Sequence, residues 1–261
     1  MKLGTSAIRW RGFTMKAKSE SGSGIALLLR FNLRRTFTSV YGLLYLVIGM
    51  AVPIAMILPI SSEIGSQQVV TQVPIVSSLI PAILPLFATT GSTGVAYLFS
   101  TDRSNGLYEY LIATRKIKIR DIFLSYSIID AVVVSAILGV DLAVVYVTLA
   151  LKVPSLLHGL LFIVIVYSIP VAYFASLISV LAMLTWSSLS KRYVGVNAPG
   201  GIGTLIGVIP TLLFLLVVIG SGLFSGNIDL VGGLFSIVIF AAFVILLVIV
   251  TRLMSNERML A

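Results

Sequence analysis

Six long apolar stretches alternate with short polar segments along this chain. About 20 consecutive apolar residues are enough for a helix to cross a lipid bilayer. The pattern therefore predicts an all-α integral membrane protein with six transmembrane helices. We expect these helices at residues 40–60, 74–100, 122–151, 155–186, 202–224 and 230–252.

The composition favours one membrane domain and no folded soluble domain. Of the 261 residues, 58% are hydrophobic and 10% are charged, and the mean hydropathy is +1.11. Such values are typical of membrane proteins and exclude an ordinary soluble domain. Residues 1–24 are basic and then rich in Ser and Gly, so we expect a flexible cytoplasmic tail there. Residues 25–261 are expected to form a single transmembrane domain.

The segment Ile25–Phe37 has the pattern of an amphipathic helix that lies in the membrane interface before the first span. Its apolar side consists of Ile25, Leu28, Leu29 and Leu33, and its basic residues are Arg30, Arg34 and Arg35. We expect the arginines to face lipid headgroups or a partner. A generic basic membrane anchor fits the same pattern.

One long polar loop, residues 101–121, separates the second span from the third. Its middle, Leu107–Thr114, predicts a short amphipathic helix with Glu109 off the apolar face. A helix this short is marginal alone in water, so we expect it to dock on another surface. A solvated surface loop is the alternative interpretation. The predicted apolar face consists of Leu107, Tyr110 and Leu111, at positions i, i+3 and i+4.

Basic residues are distributed unevenly between the two sides of the predicted membrane. Seventeen of the 18 Lys and Arg residues lie on the side of the N-terminus, and only Lys152 lies on the other side. Cytoplasmic loops are enriched in Lys and Arg, so this asymmetry predicts a multi-pass protein of the plasma membrane with both termini in the cytoplasm. The basic N-terminal cluster suits anionic membrane lipids, and we expect no nucleic-acid binding.

The sequence contains no motif for catalysis, nucleotide binding or metal binding. The segment Gly200-Gly-Ile-Gly203 is not followed by the Gly-Lys-Ser/Thr of a phosphate-binding loop. The chain has no cysteine, and His158, the single histidine, has no carboxylate or thiol near it in the sequence. We therefore predict that this chain is not an enzyme and binds no metal or cofactor of its own.

Small hydroxyl residues are concentrated near the end of the second span. They are Thr89, Thr90, Ser92 and Thr93. One interpretation is that they line a translocation path, because two prolines and two glycines in the span suggest local irregularity beside a cavity. The alternative is that their hydroxyls hydrogen-bond to the backbone of their own helix.

Two acidic residues, Asp130 and Asp141, fall within the predicted third span. They are 11 residues apart, which is about three helical turns, so they share one face. An unpaired charge at the centre of a span costs at least ~2.5 kcal/mol, so both should face protein. We prefer protonated or hydroxyl-bonded carboxyl groups over an ion site, because no basic residue in the spans completes a relay.

Several residues of the 101–121 loop follow a recurring pattern. In order, they are Asp102, Arg103, Gly106, Glu109, Leu111, Ile112 and Thr114. With them the loop resembles the loop after the second span in permease subunits of the ABC type-2 exporter family. Leu107 departs from the family pattern, where Thr is usual, and so does Arg115, where Pro is usual. The six-span layout and the helix before the first span extend the resemblance over nearly the whole chain.

The resemblance implies that Leu107–Thr114 is a coupling helix seated on a separate ATPase subunit. Glu109 would form an ion pair with Arg30 or Arg34, or with an arginine of the ATPase. The implied coupling residues are Gly106, Leu107, Glu109, Tyr110, Leu111 and Thr114.

The same resemblance implies an assembly of four subunits. Two ATPase subunits, which hold ATP and Mg²⁺, would drive two permease subunits, either identical or related. The permeases would export a substrate by alternating access at their interface. The apolar spans favour an amphipathic or lipid-like substrate, a drug or a peptide.

A secondary transporter with a three-plus-three inverted repeat is the alternative. In that arrangement the second and fifth spans would be equivalent, and both would be broken helices at a site near the middle of the membrane. Asp130 and Asp141 would then carry the coupling ion.

Overall fold

The computed structural model describes residues 24–64, 69–113, 117–152, 154–189, 200–223 and 228–253, and these are almost entirely helical. No strand occurs within these ranges. The elements in chain order are α1 (Gly24–Thr38), α2 (Val40–Ile64), α3 (Val69–Ser104), α4 (Leu107–Ala113), α5 (Ile119–Lys152), α6 (Pro154–Ile163), a π-helical segment (Val164–Ser168), α7 (Ile169–Leu189), α8 (Gly200–Leu223) and α9 (Ile228–Leu253).

Five stretches of the described helices are long and apolar enough to cross a membrane. They are Val40–Pro59, Ser78–Asp102, Ile119–Leu151, Leu157–Ala182 and Leu230–Arg252. The chain therefore has the character of a multi-pass, all-α membrane protein. The predicted fifth span corresponds to α8, whose described apolar stretch, Val208–Gly220, is shorter. The count of six spans stays a prediction.

Helix α3 is the central element of the bundle and packs against α2, α5, α7 and α8. Its side chains from Ile80 to Ser100 are mostly buried, and they join those of α5 in the larger hydrophobic core. A second core links α7, α8 and α9 around Phe214 and Ile239. In contrast, α9 exposes large apolar side chains along most of its length, as expected of a helix that faces lipid.

Two glycines allow α2 and α3 to approach each other closely. A Cβ atom placed on Gly91 would lie 3.1 Å from the Cα atom of Gly49 and 3.2 Å from the carbonyl oxygen of Tyr45. The packing over about one helical turn therefore depends on the absence of side chains, since a Cβ atom on Gly94 would meet the ring of Tyr45. Small residues give membrane helices this kind of contact.

Helix α3 continues through Pro81 and Pro85 without a break. Pro85 has no N–H group, so the carbonyl oxygen of Pro81, four residues earlier, lacks its helical partner. Ser168 replaces that partner, because its hydroxyl donates to the Pro81 oxygen at 2.7 Å. The irregular, broken second span expected from its prolines and glycines is wrong, because a neighbouring side chain satisfies the freed carbonyl.

The irregular part of the bundle lies instead in the fourth predicted span. Between α6 and α7 the chain widens into a π-helical turn, in which the Ile169 N–H group bonds to the Val164 oxygen. Pro170 follows directly, and a π turn gives its ring the space that a regular α-helix lacks. This turn also brings Ser168 to α3.

Candidate functional site

The candidate site is the end of the bundle where α1, α4 and α5 meet the last turn of α3. Gly106 lies between α3 and α4 with a φ angle of +68°, in the left-handed region that favours glycine. The turn is closed by a hydrogen bond from the Asn105 N–H group to the Thr101 oxygen at 3.1 Å. The chain therefore reverses sharply, and α4 folds back onto the bundle.

A buried carboxylate at the end of α3 holds these helices together. Asp102 accepts hydrogen bonds from Arg35 on α1, from the Tyr108 hydroxyl on α4 at 3.1 Å and from the Tyr126 hydroxyl on α5 at 2.9 Å. The two tyrosine hydroxyls also contact each other. We call Arg35, Asp102, Tyr108 and Tyr126 the Asp102 cluster.

Aromatic packing shields the Asp102 cluster from water. The ring of Phe99 stacks on Tyr108, with ring centroids 5.3 Å apart, and meets Tyr126 edge-on at 5.1 Å. Both tyrosines are buried, and so is Ile112 in the next turn of α4. These contacts give the seven-residue helix α4 the tertiary packing that so short a helix needs.

The electrostatics of the cluster depend on the pairing of Asp102 with Arg35. The side chain of Asp102 is only 3% exposed, whereas that of Arg35 is 28% exposed. A buried carboxylate is tolerated when a partner charge and additional hydrogen bonds satisfy its oxygens. Here one oxygen contacts the guanidinium and the other accepts from the tyrosines, so both carboxylate oxygens have hydrogen-bond partners.

Helix α1 docks on the bundle through a face that is partly polar. Leu28, Asn32 and Thr36 are buried, and the Asn32 amide donates to the Ser125 hydroxyl of α5 at 3.3 Å. The predicted helix is confirmed; on its predicted apolar side Leu28 is buried and Leu33 is exposed. The hydrogen bonds of Asn32 to α5 and of Arg35 to α3 help to set the rotation of α1.

The face of α4 that packs on the bundle is one residue along from the predicted apolar face. The face that packs on the bundle contains the buried Tyr108 and Ile112 together with the half-buried Leu111. Tyr110, predicted to dock, is 67% exposed and points away from the bundle, and Leu107 is half-exposed. The hydrogen bonds of Tyr108 to the Asp102 cluster decide between the two faces.

The predicted ion pair of Glu109 with the first helix stays a prediction. The side chain of Glu109 and the whole of Thr114 lie outside the described residues, whereas Arg30 and Arg34 are exposed on α1. The arginine that the structure brings to the loop is Arg35, which pairs with Asp102.

The predicted pathway residues lie mostly inside the bundle. Thr89, Ser92 and Thr93 are buried, and only Thr90 is partly exposed. The hydroxyls of Thr90, Ser92 and Thr93 donate to carbonyl oxygens of their own helix at 2.6–2.8 Å. A bulky residue at Thr93 would therefore disturb packing within the subunit, and a role in a pathway stays a prediction.

Asp130 and Asp141, the two predicted intramembrane acids, are buried within the bundle. This protein-facing position was expected, because an unpaired charged side chain in contact with lipid is energetically unfavourable. Asp130 is hydrogen-bonded to the Ser176 hydroxyl of α7. Neither carboxyl oxygen of Asp141 has a hydrogen-bond partner among the described side chains. No group of three or more His, Cys, Asp or Glu residues in the described part of the chain could hold a metal ion.

The fold and the site define a helical, multi-pass membrane protein with a short helix clamped against one end of its bundle. Comparisons with protein families, curated proteins and solved structures gave no match to this chain. The function is therefore argued from the geometry of the chain itself. The sequence did not single out Tyr108 and Tyr126. The i, i+4 pair of Tyr108 and Ile112 could have indicated Tyr108, whereas no local pattern indicates Tyr126.

Proposed function

We propose that this chain is the membrane-spanning permease subunit of an ATP-driven exporter and that α4 couples it to a separate ATPase. The resemblance of the 101–121 loop to the ABC type-2 permeases supports this proposal. The observation that carries it is the asymmetry of α4, which is clamped on one face and open on the other.

The clamped face fixes the position of α4, because Tyr108 is buried and hydrogen-bonded to Asp102. The opposite face presents Tyr110, which is 67% exposed, and the half-exposed Leu107. An exposed aromatic residue on a fixed support suits a protein interface, where tyrosines are enriched among the residues that contribute most to binding. A helix held in this way transmits a push from a partner to α1, α3 and α5.

In the proposed assembly, two ATPase subunits bind ATP and Mg²⁺, and two permease subunits form the pathway between them. The second permease is identical to this chain or related to it. The protein lies in the plasma membrane with both termini in the cytoplasm, among lipids that its basic N-terminal segment attracts. The substrate is amphipathic or lipid-like, a drug or a peptide.

Purification from native membranes tests this proposal. The chain should purify with a polypeptide that hydrolyses ATP, whereas the chain alone should hydrolyse none. Tyr110→Ala should lose that partner, and Tyr146→Ala should keep it, because Tyr146 is similarly exposed but lies on α5 within the membrane. Transport by the purified chain without any ATPase would contradict the proposal.

A secondary transporter is the second candidate, and the burial of Asp130 and Asp141 within the bundle favours it. Its expected broken helices are not observed, since α3 and α8 both continue through their prolines. If Asp130→Asn and Asp141→Asn abolish transport while Tyr110→Ala has no effect, this candidate replaces the exporter.

A further inference from the structure

We propose that the face of α1 that points away from the bundle binds an anionic phospholipid, with Arg30 and Arg34 at its phosphate and the neighbouring apolar side chains against its acyl chains. The proposal does not rest on the exporter function. It follows from the rotation of α1 on the bundle and from the bend that separates α1 from the first span.

Contacts with the bundle fix the rotation of α1. Leu28, Asn32 and Thr36 are buried. Asn32 hydrogen-bonds to Ser125 of α5, and Arg35 to Asp102 of α3. Each residue advances about 100° around the axis of an α-helix, so Arg30, five residues before Arg35, lies about 140° away from it. The rotation that brings Arg35 to the Asp102 cluster therefore turns Arg30 away from the bundle.

Four residues form the side of α1 opposite the buried one, and we call them the outward face. They are Arg30, Leu33, Arg34 and Phe37, at positions i, i+3, i+4 and i+7. All four are exposed, Leu33 at 40% and Phe37 at 37%. None of the 15 residues of α1 is acidic. The outward face thus combines two positive charges with two large apolar side chains.

A sharp bend at Ser39 turns α1 away from the axis of α2. In a straight α-helix, residues six positions apart are separated by about 9 Å along the axis. A Cβ atom placed on Gly42 would nevertheless overlap the carbonyl oxygen of Thr36. The Gly42 N–H group bonds to the Ser39 hydroxyl oxygen at 3.0 Å. Because of this bend, α1 can lie along the membrane surface while α2 crosses the membrane.

The exposed apolar surface continues past the bend onto the first span. Val40, Leu44 and Val47 are each more than half exposed, and they belong to a stretch long enough to cross a membrane. Basic side chains therefore come directly before a surface suited to acyl chains. A phospholipid has the same order of groups, an anionic phosphate joined to acyl chains. Arginines on interfacial helices keep their stems on apolar surface and extend their charged ends to such headgroups.

The two arginines of the outward face lack an anionic partner within the described part of the chain. The ion pair found there joins Arg35 to Asp102, and no described carboxylate lies within ion-pair distance of Arg30 or Arg34. Anionic lipids of the cytoplasmic leaflet attract Lys and Arg side chains that lie near the membrane surface. An anionic lipid therefore supplies the charge that the outward face lacks.

Thermal unfolding of the purified full-length chain in nanodiscs tests the site. The probe is phosphatidylglycerol, added in increasing fractions to phosphatidylcholine. The unfolding temperature should rise with phosphatidylglycerol, because a ligand that binds the folded chain stabilises it. Each arginine removed should weaken the apparent affinity about 5-fold. The double variant Arg30→Gln/Arg34→Gln should therefore lose most of the rise.

The double variant Lys118→Gln/Arg120→Gln is the matched control, because it removes the same charge from two exposed positions at the start of α5. It should keep the rise. An equal loss in both double variants would show a general effect of net charge. An unchanged rise in the arginine variant, with lower stability in phosphatidylcholine alone, would show that Arg30 and Arg34 pair with protein, for example with Glu109. Either result overturns the proposal.

A second measurement leaves the arginines in place. The chain has no cysteine, so Leu33→Cys can carry a single fluorescent label. Spin-labelled lipids should quench this label more strongly than iodide in the water does. Asn105→Cys, in the exposed turn between α3 and α4, should show the opposite preference. Quenching of the label at position 33 by iodide alone would place the outward face in water and overturn the proposal.

Discussion

The carboxylate of Asp102 accepts hydrogen bonds from residues on three other helices, so its removal affects more than one contact. Each polar atom left buried without a partner costs about 1–3 kcal/mol. Arg35 can partly turn to solvent because its side chain is 28% exposed. The two buried tyrosine hydroxyls lose their shared acceptor but keep their contact with each other.

We predict that Asp102→Ala lowers the free energy of unfolding by about 1–3 kcal/mol. Arg35→Ala should cost more than Asp102→Ala, because it leaves the buried Asp102 carboxylate without its partner charge. The double variant should lose less than the sum, since the two residues share one interaction. Arg120→Ala, an exposed arginine at the start of α5, is the control and should change little. Thermal unfolding in nanodiscs measures all four variants. Strict additivity of Arg35→Ala and Asp102→Ala would contradict the pairing.

A second prediction at this scale concerns Glu109, the acidic residue within α4. In the complex with the ATPase, Glu109→Arg should uncouple ATP hydrolysis from transport, and Arg34→Glu or Arg30→Glu in the same chain should restore part of the coupling. The reason is that a reversed ion pair recovers the attraction that a single reversal destroys. Hydrolysis and transport are measured together in proteoliposomes. Unchanged coupling in Glu109→Arg would refute the pair, and loss without rescue by either swap would point to an arginine of the ATPase.

Among the elements, α2 and α3 depend on the glycine contact between Gly49 and Gly91. We predict that Gly91→Ala lowers the free energy of unfolding by about 1–3 kcal/mol, because the new methyl group would meet the Ile137 side chain of α5 and the backbone of α2. Gly139→Ala on α5 is the matched control. It has open space at the Cβ position, so better helix propensity should leave stability unchanged or raise it by about 0.5–1 kcal/mol. Equal effects of the two changes on the unfolding temperature would show that the close approach is absent.

The sequence predicts the elements better than it predicts their rotation. The helix before the first span was expected at Ile25–Phe37 and is found at Gly24–Thr38, and the short loop helix is confirmed at Leu107–Ala113. The face of α4 that packs on the bundle differs from the predicted apolar face, because two overlapping i, i+3, i+4 sets exist, one starting at Leu107 and one at Tyr108. Choosing between them requires Asp102 and Tyr126, and only the folded chain brings these residues beside Tyr108.

The course of α3 at its prolines also depends on a contact between residues that are distant in the sequence. Pro81 and Pro85 suggest a broken helix when the second span is considered alone. The hydroxyl that repairs the helix belongs to Ser168, 87 residues away from Pro81, and it reaches α3 through a π-helical turn. No local pattern in the sequence predicts a hydrogen bond of that separation.

For the whole molecule, the distribution of basic residues predicts the orientation in the membrane. Because the chain has no cysteine, single cysteines can be placed at Asn105, Lys191, Glu63 and Asp229. We predict that an impermeant thiol reagent applied to intact cells labels positions 63 and 229 but not 105 and 191, because 17 of 18 basic residues lie on the cytoplasmic side of the predicted topology. Labelling of Asn105→Cys or Lys191→Cys from outside would contradict the predicted orientation.

Site-directed cross-linking from position 110 tests most directly whether α4 receives an ATPase. Tyr110→Cys, modified with a photoactivatable thiol reagent in native membranes, should cross-link to a protein that carries a phosphate-binding loop and hydrolyses ATP. Tyr146→Cys, which is similarly exposed on α5, should give no such adduct. The account predicts an ATPase adduct from position 110 alone. No ATPase adduct from position 110, or equal adducts from both positions, would contradict it.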